Sequence, residues 1–258
     1  MNLKNTAHLI AAAILLAAAA GCRPPTEGES MNTEPFEDTL LYFGHQSVGR
    51  GILRGLEEHY PSVVRWKEDQ ALPVSGLTIH NAFLGSNGRP FDKLKDFRNR
   101  ILGWTGDAAP DYAGMKFCYL DITSDTDTDA LFAAYTAVVD EVETTHPDLT
   151  VIHFTVPLTT NDPALRAAVK RMLGREPWGR EHNRRREEYN DRMREAYAEG
   201  GRLYDVAALE ASRGSDRNPS LDRRLTDDGG HLNAEGRRYL ASEFLDFFRG
   251  VAASETDG

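Results

Sequence analysis

The chain first shows its fold in the stretch Leu40-Leu41-Tyr42-Phe43-Gly44-His45-Gln46-Ser47-Val48-Gly49. Four apolar residues come first, then a short turn with a glycine, then a serine that opens a helix-like segment. An apolar run that passes through a tight turn into a helix is typical of a strand–helix unit. The pattern therefore predicts a buried strand at 40–43, with Ser47 at its carboxyl end. A serine between a strand and a helix is also in the usual setting of a nucleophile.

Strand-like and helix-like segments alternate along the rest of the chain. Short apolar segments rich in branched or aromatic residues predict further strands at 63–66, 115–122, 150–156 and 203–205. Apolar residues at helical spacing predict helices at 48–60, 91–102, 129–144, 183–198 and 234–248. This alternation predicts an α/β fold of three α/β/α layers around a parallel, flavodoxin-like sheet of about five strands. Its site is expected in the loops at the carboxyl ends of the strands.

A second candidate motif, Asp228-Gly229-Gly230-His231, lies just before the last predicted helix. A carboxylate three residues before a histidine, on a glycine turn, can orient the imidazole and stabilise its protonated form. Together with Ser47, the two residues make a candidate Ser–His–Asp catalytic triad. This chemistry requires neither a metal nor another cofactor.

The two motifs, in this order, resemble the SGNH (GDSL-like) hydrolases over about residues 38–249. The terminal block agrees with that family at Asp228, His231, Leu232, Asn233 and Gly236. The first block departs from it, because Gly44-His45-Gln46-Ser47 stands where the family usually reads Gly-Asp-Ser. The resemblance implies a serine esterase with Ser47 as the nucleophile, Asp228 and His231 as its partners, and the Ser47 amide in the oxyanion hole.

The resemblance also implies that a glycine amide helps to hold the oxyanion, and the best candidate is Gly85 in the segment 84–88. The family's third block, Gly-x-Asn-Asp, is replaced by Tyr119-Leu120-Asp121-Ile122. An ionised aspartate repels an oxyanion. Either Asp121 has another role, or Asn87 supplies the missing donor.

Each of these residues also has a plainer interpretation. Ser47 is a favoured type of residue for capping the helix that follows it. Asp228 and His231 suit a surface turn. His45 and His80 are rival candidates for the base, or residues that shape the pocket.

Three other polar segments are interpreted as structural. The run 125–129 alternates Asp and Thr but lacks the glycine and glutamate of a calcium loop, so it predicts a capped helix start at Asp129. The run 184–188 has opposite charges at helical spacing and predicts a solvated helix face. The connection 158–182 predicts an irregular or partly helical insertion, either a substrate lid or a surface excursion.

The amino-terminal residues predict an export signal and an anchor. Lys4, an apolar run at 9–20 and the sequence Ala19-Ala20-Gly21-Cys22 resemble a bacterial lipoprotein signal at 1–21, with lipid attached to Cys22. The alternative is an ordinary secretory signal. The segment 22–37 then predicts a flexible tether, 38–250 the hydrolase domain and 251–258 a disordered tail.

Composition limits the remaining choices. A chain of 258 residues, 40% hydrophobic and 27% charged, suits one full-sized domain. Its net charge of −10 makes nucleic acid an unsuitable partner. With Cys22 acylated, Cys118 has no disulfide partner and is expected to be a buried, unreactive thiol.

The sequence thus favours a lipid-anchored esterase on the periplasmic or extracellular face of the cell envelope. Its expected substrate is a small-molecule or glycan ester, such as an acetylated carbohydrate. Two alternatives stay open, namely an acyltransferase that uses the same residues and a noncatalytic binding module of the envelope. Neither water nor a sugar is singled out by the sequence as the acyl acceptor.

Overall fold

The computed structural model describes residues 36, 39–66, 76–104, 109–175, 177, 179–211 and 219–256. The predicted signal at 1–21, the predicted lipidation site at Cys22 and most of the predicted tether lie outside the described residues. No helix in the described ranges is long and apolar enough to cross a membrane.

Strands and helices alternate as the sequence predicts. The strands are β1 Thr39–His45, β2 Val64–Trp66, β3 Leu77–Phe83, β4 Tyr112–Met115, β5 Thr150–Phe154 and β6 Leu203–Tyr204. The helices are α1 Ser47–His59, α2 Pro90–Leu102, α3 Thr128–Thr145, α4 Ala164–Met172, α5 Arg180–Tyr197, α6 Val206–Glu210 and α7 Ala234–Thr256. A short 3-10 helix covers Arg223–Leu225.

The strands form a parallel sheet in the order β2-β3-β1-β4-β5-β6. The α/β prediction is confirmed, with six strands instead of about five. The strand that the sequence does not reveal is β3, where polar Thr78 and His80 alternate with apolar Leu77 and Ile79. All four residues are buried. The two polar residues break the apolar run, so the sequence does not predict this strand, although it lies inside the sheet between β2 and β1.

Helices cover both faces of this sheet. On one face Tyr42 packs against Phe97 of α2, with ring centroids 6.1 Å apart. On the other face Phe43 stacks on Phe154, at 4.9 Å, and on Phe244 of α7, at 6.3 Å. Because neighbouring residues of a strand point to opposite faces, β1 contributes to both halves of the core.

The order of the strands creates a crevice beside β1. The chain adds β2 and β3 on one side of β1 and then crosses to add β4 on the other side. The loops that leave β1 and β4 therefore diverge at their carboxyl ends, where α/β proteins place their sites. Ser47 follows β1, and the loop 116–122 follows β4.

Helix α1 depends on glycines that lower its intrinsic helix propensity. A Cβ on Gly55 would lie 2.3 Å from the backbone oxygen of Arg237 in α7, and a Cβ on Gly49 would lie 2.4 Å from the Cβ of His45. Any larger residue would push the helix off its neighbours. These glycines therefore let α1 lie directly against β1 and α7.

Three boundaries differ from the prediction. The strand predicted at 115–122 instead spans Tyr112–Met115 and shares only Met115 with the prediction, because Cys118 and Asp121 close a turn beyond it. Helix α7 continues to Thr256, so 251–256 are helical and not a disordered tail. Phe36, placed in the predicted tether, is buried and stacks on Phe248 with centroids 5.4 Å apart, so the tether ends before it.

Candidate active site

Ser47 is the first residue of α1 and is half-buried. The capping position belongs to Gln46, whose side chain makes no capping hydrogen bond. The side-chain nitrogen of Gln46, Nε2, instead donates to the carbonyl oxygens of Leu84, at 2.6 Å, and Gly85, at 3.3 Å. Within the described residues the Ser47 hydroxyl has no hydrogen bond, so it is not used as a helix cap.

The amino terminus of α1 offers backbone donors beside that hydroxyl. The first hydrogen bond of the helix runs from Arg50 N to Gln46 O, at 2.9 Å. The amides of Ser47, Val48 and Gly49 precede it and have no acceptor within the helix. Free amides and the positive end of the helix dipole stabilise negative charge. An oxyanion that forms on a carbonyl bonded to Ser47 would meet these donors.

Asp228 and His231 form the predicted carboxylate–imidazole pair. Asp228 Oδ2 lies 2.6 Å from His231 Nδ1, and Oδ1 accepts the backbone amides of His231, at 2.8 Å, and Gly230, at 2.9 Å. Although partial burial favours the neutral acid, these bonds hold the pKa of Asp228 well below its usual range. The carboxylate is therefore ionised and presents an oriented ring whose Nε2 faces away from it.

Close packing fixes the loop that carries this pair. Gly229 has φ 90° and its carbonyl accepts the Thr160 amide at 2.9 Å. A Cβ on Gly230 would lie 3.0 Å from the ring of Tyr119. Both positions therefore require glycine, one for its backbone angle and one for its lack of a side chain.

The same loop lies against the start of α1. Leu232 approaches the position of a Cβ on Gly51 to 3.4 Å, and Gly51 lies one helical turn beyond Ser47 on the same side of α1. The fold thus brings His231 to the side of α1 that carries Ser47. No hydrogen bond joins the two side chains in the described part of the chain, and such bonds often form only when a substrate binds.

Tyr119 is a site residue that the motifs do not identify. Its hydroxyl lies 3.4 Å from His231 Nε2, and the two rings meet edge to face with centroids 5.8 Å apart. Burial, helped by the nearby charge of Asp228, raises the pKa of Tyr119 to about 12. The phenol therefore stays protonated beside the histidine. The only signal in the sequence is its place in the altered third block.

The predicted oxyanion loop departs from expectation at Gly85. Its amide donates to the carboxylate of Asp96 at 3.0 Å, so it would have to leave Asp96 before it could bind an oxyanion. The amides of Leu84, Gly88 and Arg89 are likewise engaged, with His45 O, Asp121 Oδ1 and Ser86 O.

The amides of Ser86 and Asn87 are the backbone donors of this loop that make no hydrogen bond within the described residues. Asn87 Oδ1 accepts from Lys93 Nζ at 2.9 Å. The side-chain nitrogen of Asn87, Nδ2, therefore remains available as the donor that the sequence predicts.

Asp121 has the other role that the sequence left open. It is fully buried, and Oδ2 lies 2.6 Å from Lys93 Nζ and 2.6 Å from the Cys118 amide. Oδ1 accepts the Gly88 amide at 2.8 Å. One carboxylate thus ties α2, the loop 84–88 and the loop after β4 together, and its charge is compensated by Lys93.

The two rival histidines are placed for packing. His80 lies in mid-strand between Tyr42 and Trp104, with centroids 5.3 and 5.1 Å away. His45 is fully buried, and its Nδ1–H donates to Gln46 O at 2.9 Å. Burial, reinforced by the charge of Lys116, lowers the pKa of His45 to about 4. His45 is therefore a neutral core residue beneath Ser47.

Replacing His45 with glutamine is expected to reduce the acid sensitivity of the fold. Because the unfolded histidine binds a proton near pH 6.5 and the folded one only near pH 4, the wild type loses stability as pH falls between these values. The expected loss is about 3 kcal/mol. Urea unfolding at pH 7 and pH 4 should show this difference shrinking in His45→Gln. An equal acid-induced loss in both proteins would contradict the buried neutral state of His45.

The run 125–129 leads into the start of α3, as the sequence predicts, but a different aspartate caps the helix. Asp127, and not Asp129, caps α3, accepting the amides of Asp129 and Ala130. Cys118 is a buried free thiol. No group of three His, Cys, Asp or Glu side chains is placed to hold a metal in the ranges described.

The run 184–188 forms a solvated face only in part. Arg184 and Arg185 pair with Glu188 at the surface, but Arg186 is buried. Arg186 donates to the carbonyl oxygens of Tyr119, at 3.0 Å, and Ile122, at 3.2 Å. It therefore supports the loop that carries Tyr119 from behind.

An open cleft of about 600 Å³ borders the histidine loop. Its walls are mainly polar and charged, and they are formed by Thr160, Asn161, Asp162, Pro163, Arg166, Lys170, Arg223, Thr226, Asp227, Asp228 and Gly229. The cleft thus joins the segment 160–170, within the predicted insertion, to one side of the Asp228–His231 pair. Such a lining suits a hydrated, polar molecule better than a long acyl chain.

The chain resembles known proteins in sequence and in fold. A family model described as the GDSL-like Lipase/Acylhydrolase family matches residues 44–239. A proposed platelet activating factor from Streptococcus pneumonia has a TM-score of 0.51 at 16% identity, covering 83% of this chain and 85% of that chain. That likeness shows the fold.

Two esterase structures resemble the chain less closely in shape. A carbohydrate esterase family 3 protein from Talaromyces cellulolyticus has a TM-score of 0.47 at 15% identity, and the esterase EstA from Pseudoalteromonas sp. has 0.49 at 13%. The two matches cover 84% and 83% of this chain, respectively, and 97% of each of the two esterase chains. No curated protein sequence matches the chain.

Proposed function

The chain belongs to the GDSL-like lipase/acylhydrolase family, and we propose that it is a serine esterase of the cell envelope that removes a small acyl group, such as an acetyl group, from a carbohydrate. The observation that carries the proposal is the ionised Asp228 bonded to His231, on a loop packed beside the helix that begins with Ser47. Triads are recognised by such roles and geometry more than by sequence spacing.

In this mechanism His231 Nε2 takes the proton of the Ser47 hydroxyl as Oγ attacks the ester carbonyl. The carbonyl oxygen becomes an oxyanion and is stabilised by the Ser47 amide and by donors of the loop 84–88, foremost the Asn87 side chain. As the ester bond breaks, the leaving alcohol takes the proton from His231. Water, deprotonated by the same nitrogen, then attacks the acyl-serine carbonyl. As the acyl–oxygen bond breaks, Ser47 Oγ takes that proton back from His231, and the acid is released.

The polar cleft beside Asp228 supports the assignment of a hydrophilic alcohol portion. Hydroxyl-rich substrates need many hydrogen-bonding partners, and Asn161, Arg166, Lys170 and Arg223 provide them. The proposal of a small acyl group rests on the family resemblance.

Measuring acid release from acetylated mono- and oligosaccharides tests this substrate class. The purified protein should release acetate from acetylated sugars faster than it cleaves long-chain esters of the same alcohol. If adding a hydroxylated sugar diverts the acyl group from water to that sugar, the protein is instead an acyltransferase with the same site.

The location of the enzyme follows from the amino-terminal sequence. We expect residues 1–21 to be removed and Cys22 to carry lipid, which holds the domain at a membrane through the short segment before Phe36. Replacing Cys22 with alanine should therefore release an active, soluble protein. Mass spectrometry of the wild-type protein from its membranes should show acyl mass on Cys22, and unmodified Cys22 would contradict the anchor.

A further inference from the structure

Helix α4 exposes an apolar face to solvent. Leu165, Val169, Met172 and Leu173 have 79%, 48%, 86% and 65% of their surface exposed. Their spacing of four, three and one residues places them on one side of the helix and its end. Large apolar side chains grouped on a surface usually mark a binding site.

The same segment carries concentrated positive charge. Residues 163–175 contain the cations Arg166, Lys170, Arg171 and Arg175 and no acidic residue, in a chain of net charge −10. Lys170 and Arg166 lie 2.5 and 3.7 Å from Asp162. Arg171 and Arg175 are exposed and form no ion pair with the described residues.

Helix α4 also lies at the edge of the cleft. Ala167 is buried against the body of the protein, while Arg166 and Lys170 line the cleft that Asp228 and Gly229 share. The apolar face therefore points outward from a helix whose other side borders the catalytic loop.

We propose that α4 is an interfacial helix that docks on an anionic lipid bilayer, with its apolar side chains among the acyl chains and Arg171 and Arg175 at the headgroups. A basic amphipathic helix with an exposed apolar face has the chemistry that such surfaces bind. This contact is separate from the lipid anchor proposed at Cys22. It would hold the mouth of the cleft at the membrane and favour ester substrates displayed there.

Charge decides between this occupant and a second copy of the chain. In a symmetric dimer the same patch meets itself, which would bring together the excess positive charge that residues 163–175 carry in each copy. Anionic headgroups remove that repulsion and gain from it.

A fluorescent label on the helix tests the proposal in the full chain. Met172→Cys in a Cys22→Ala background has one accessible thiol, because Cys118 is buried, and it is labelled with an environment-sensitive dye. Lys95→Cys on α2 carries the same dye as the control. Binding to vesicles that contain phosphatidylglycerol should shift the emission at residue 172 to the blue and increase it several-fold, with quenching by nitroxide lipids. Residue 95 should show neither change.

Vesicles of phosphatidylcholine alone should give a much smaller response at residue 172, and Arg171→Gln with Arg175→Gln should reduce the response to anionic vesicles. An unchanged spectrum with anionic vesicles would overturn the proposal. A blue shift that is already present in buffer would also overturn it. If that shift grows with protein concentration, a second copy of the chain covers the helix; if it does not, the chain's own residues cover it. Leu165→Ser with Met172→Ser should keep full turnover of a soluble small ester, so a failure of docking is distinct from a failure of the proposed activity.

Discussion

Replacing Ser47 with alanine is expected to abolish ester hydrolysis and to leave the fold intact. Loss of the nucleophile of a triad typically lowers kcat by about 10⁴-fold or more, because only the oxyanion donors and substrate binding remain. The Ser47 hydroxyl makes no hydrogen bond among the described residues, so its removal should change stability by only about 0.5 kcal/mol. Ester turnover and thermal unfolding of the same preparation measure the two effects.

A matched serine and a reactive probe sharpen this test. Ser242→Ala, a half-buried serine in α7, should retain wild-type turnover. A fluorophosphonate should label the wild type at Ser47 and leave Ser47→Ala unlabelled, because only an activated serine reacts. Near wild-type turnover in folded Ser47→Ala would refute the nucleophile. A wild type that neither reacts nor hydrolyses esters would point to the noncatalytic binding module.

Replacing His231 with alanine should lower kcat by about 10³-fold or more with little change in KM, because the imidazole transfers its proton only in the transition state. Asp228→Asn is expected to cost less than His231→Ala but still about 10³- to 10⁴-fold. An asparagine oxygen can still accept the amides of Gly230 and His231 that shape the loop, but its side-chain nitrogen cannot accept the proton of His231 Nδ1. The substitution also removes the negative charge that stabilises the imidazolium. Steady-state kinetics on one soluble ester compare the three proteins.

The rival histidines are the controls for this prediction. His80→Gln lies in mid-strand, and His45→Gln removes a ring that is buried and neutral. Both variants should keep turnover within about tenfold of the wild type if they fold. Loss of activity in either of them, together with an active His231→Ala, would reassign the base and reduce the loop 228–231 to a structural turn.

The strands and helices could be predicted from the sequence wherever the spacing of apolar residues was regular. Four strands and five of the helices were predicted near their observed positions, because continuous apolar runs and helical spacing reflect burial directly. The strand β3 was missed because Thr78 and His80 interrupt its apolar pattern, although both are buried. The strand β4 was placed too late, because the buried apolar residues Phe117, Cys118, Tyr119 and Ile122 pack in a loop and do not pair in the sheet.

The sequence by itself determined which chemical groups are available to the site, namely a serine after the first strand and a carboxylate three residues before a histidine. It also determined that the serine comes first along the chain and the other two come last. Local spacing already pairs Asp228 with His231, because a turn of three residues brings the two side chains within reach of each other. Only the tertiary structure decided which groups are engaged and which are free. Asp96 occupies the Gly85 amide, Lys93 neutralises Asp121, and Tyr119 reaches His231 across 112 residues of chain. These contacts join segments far apart in sequence, and their partners are selected by packing distance and burial, which no local pattern of residues encodes.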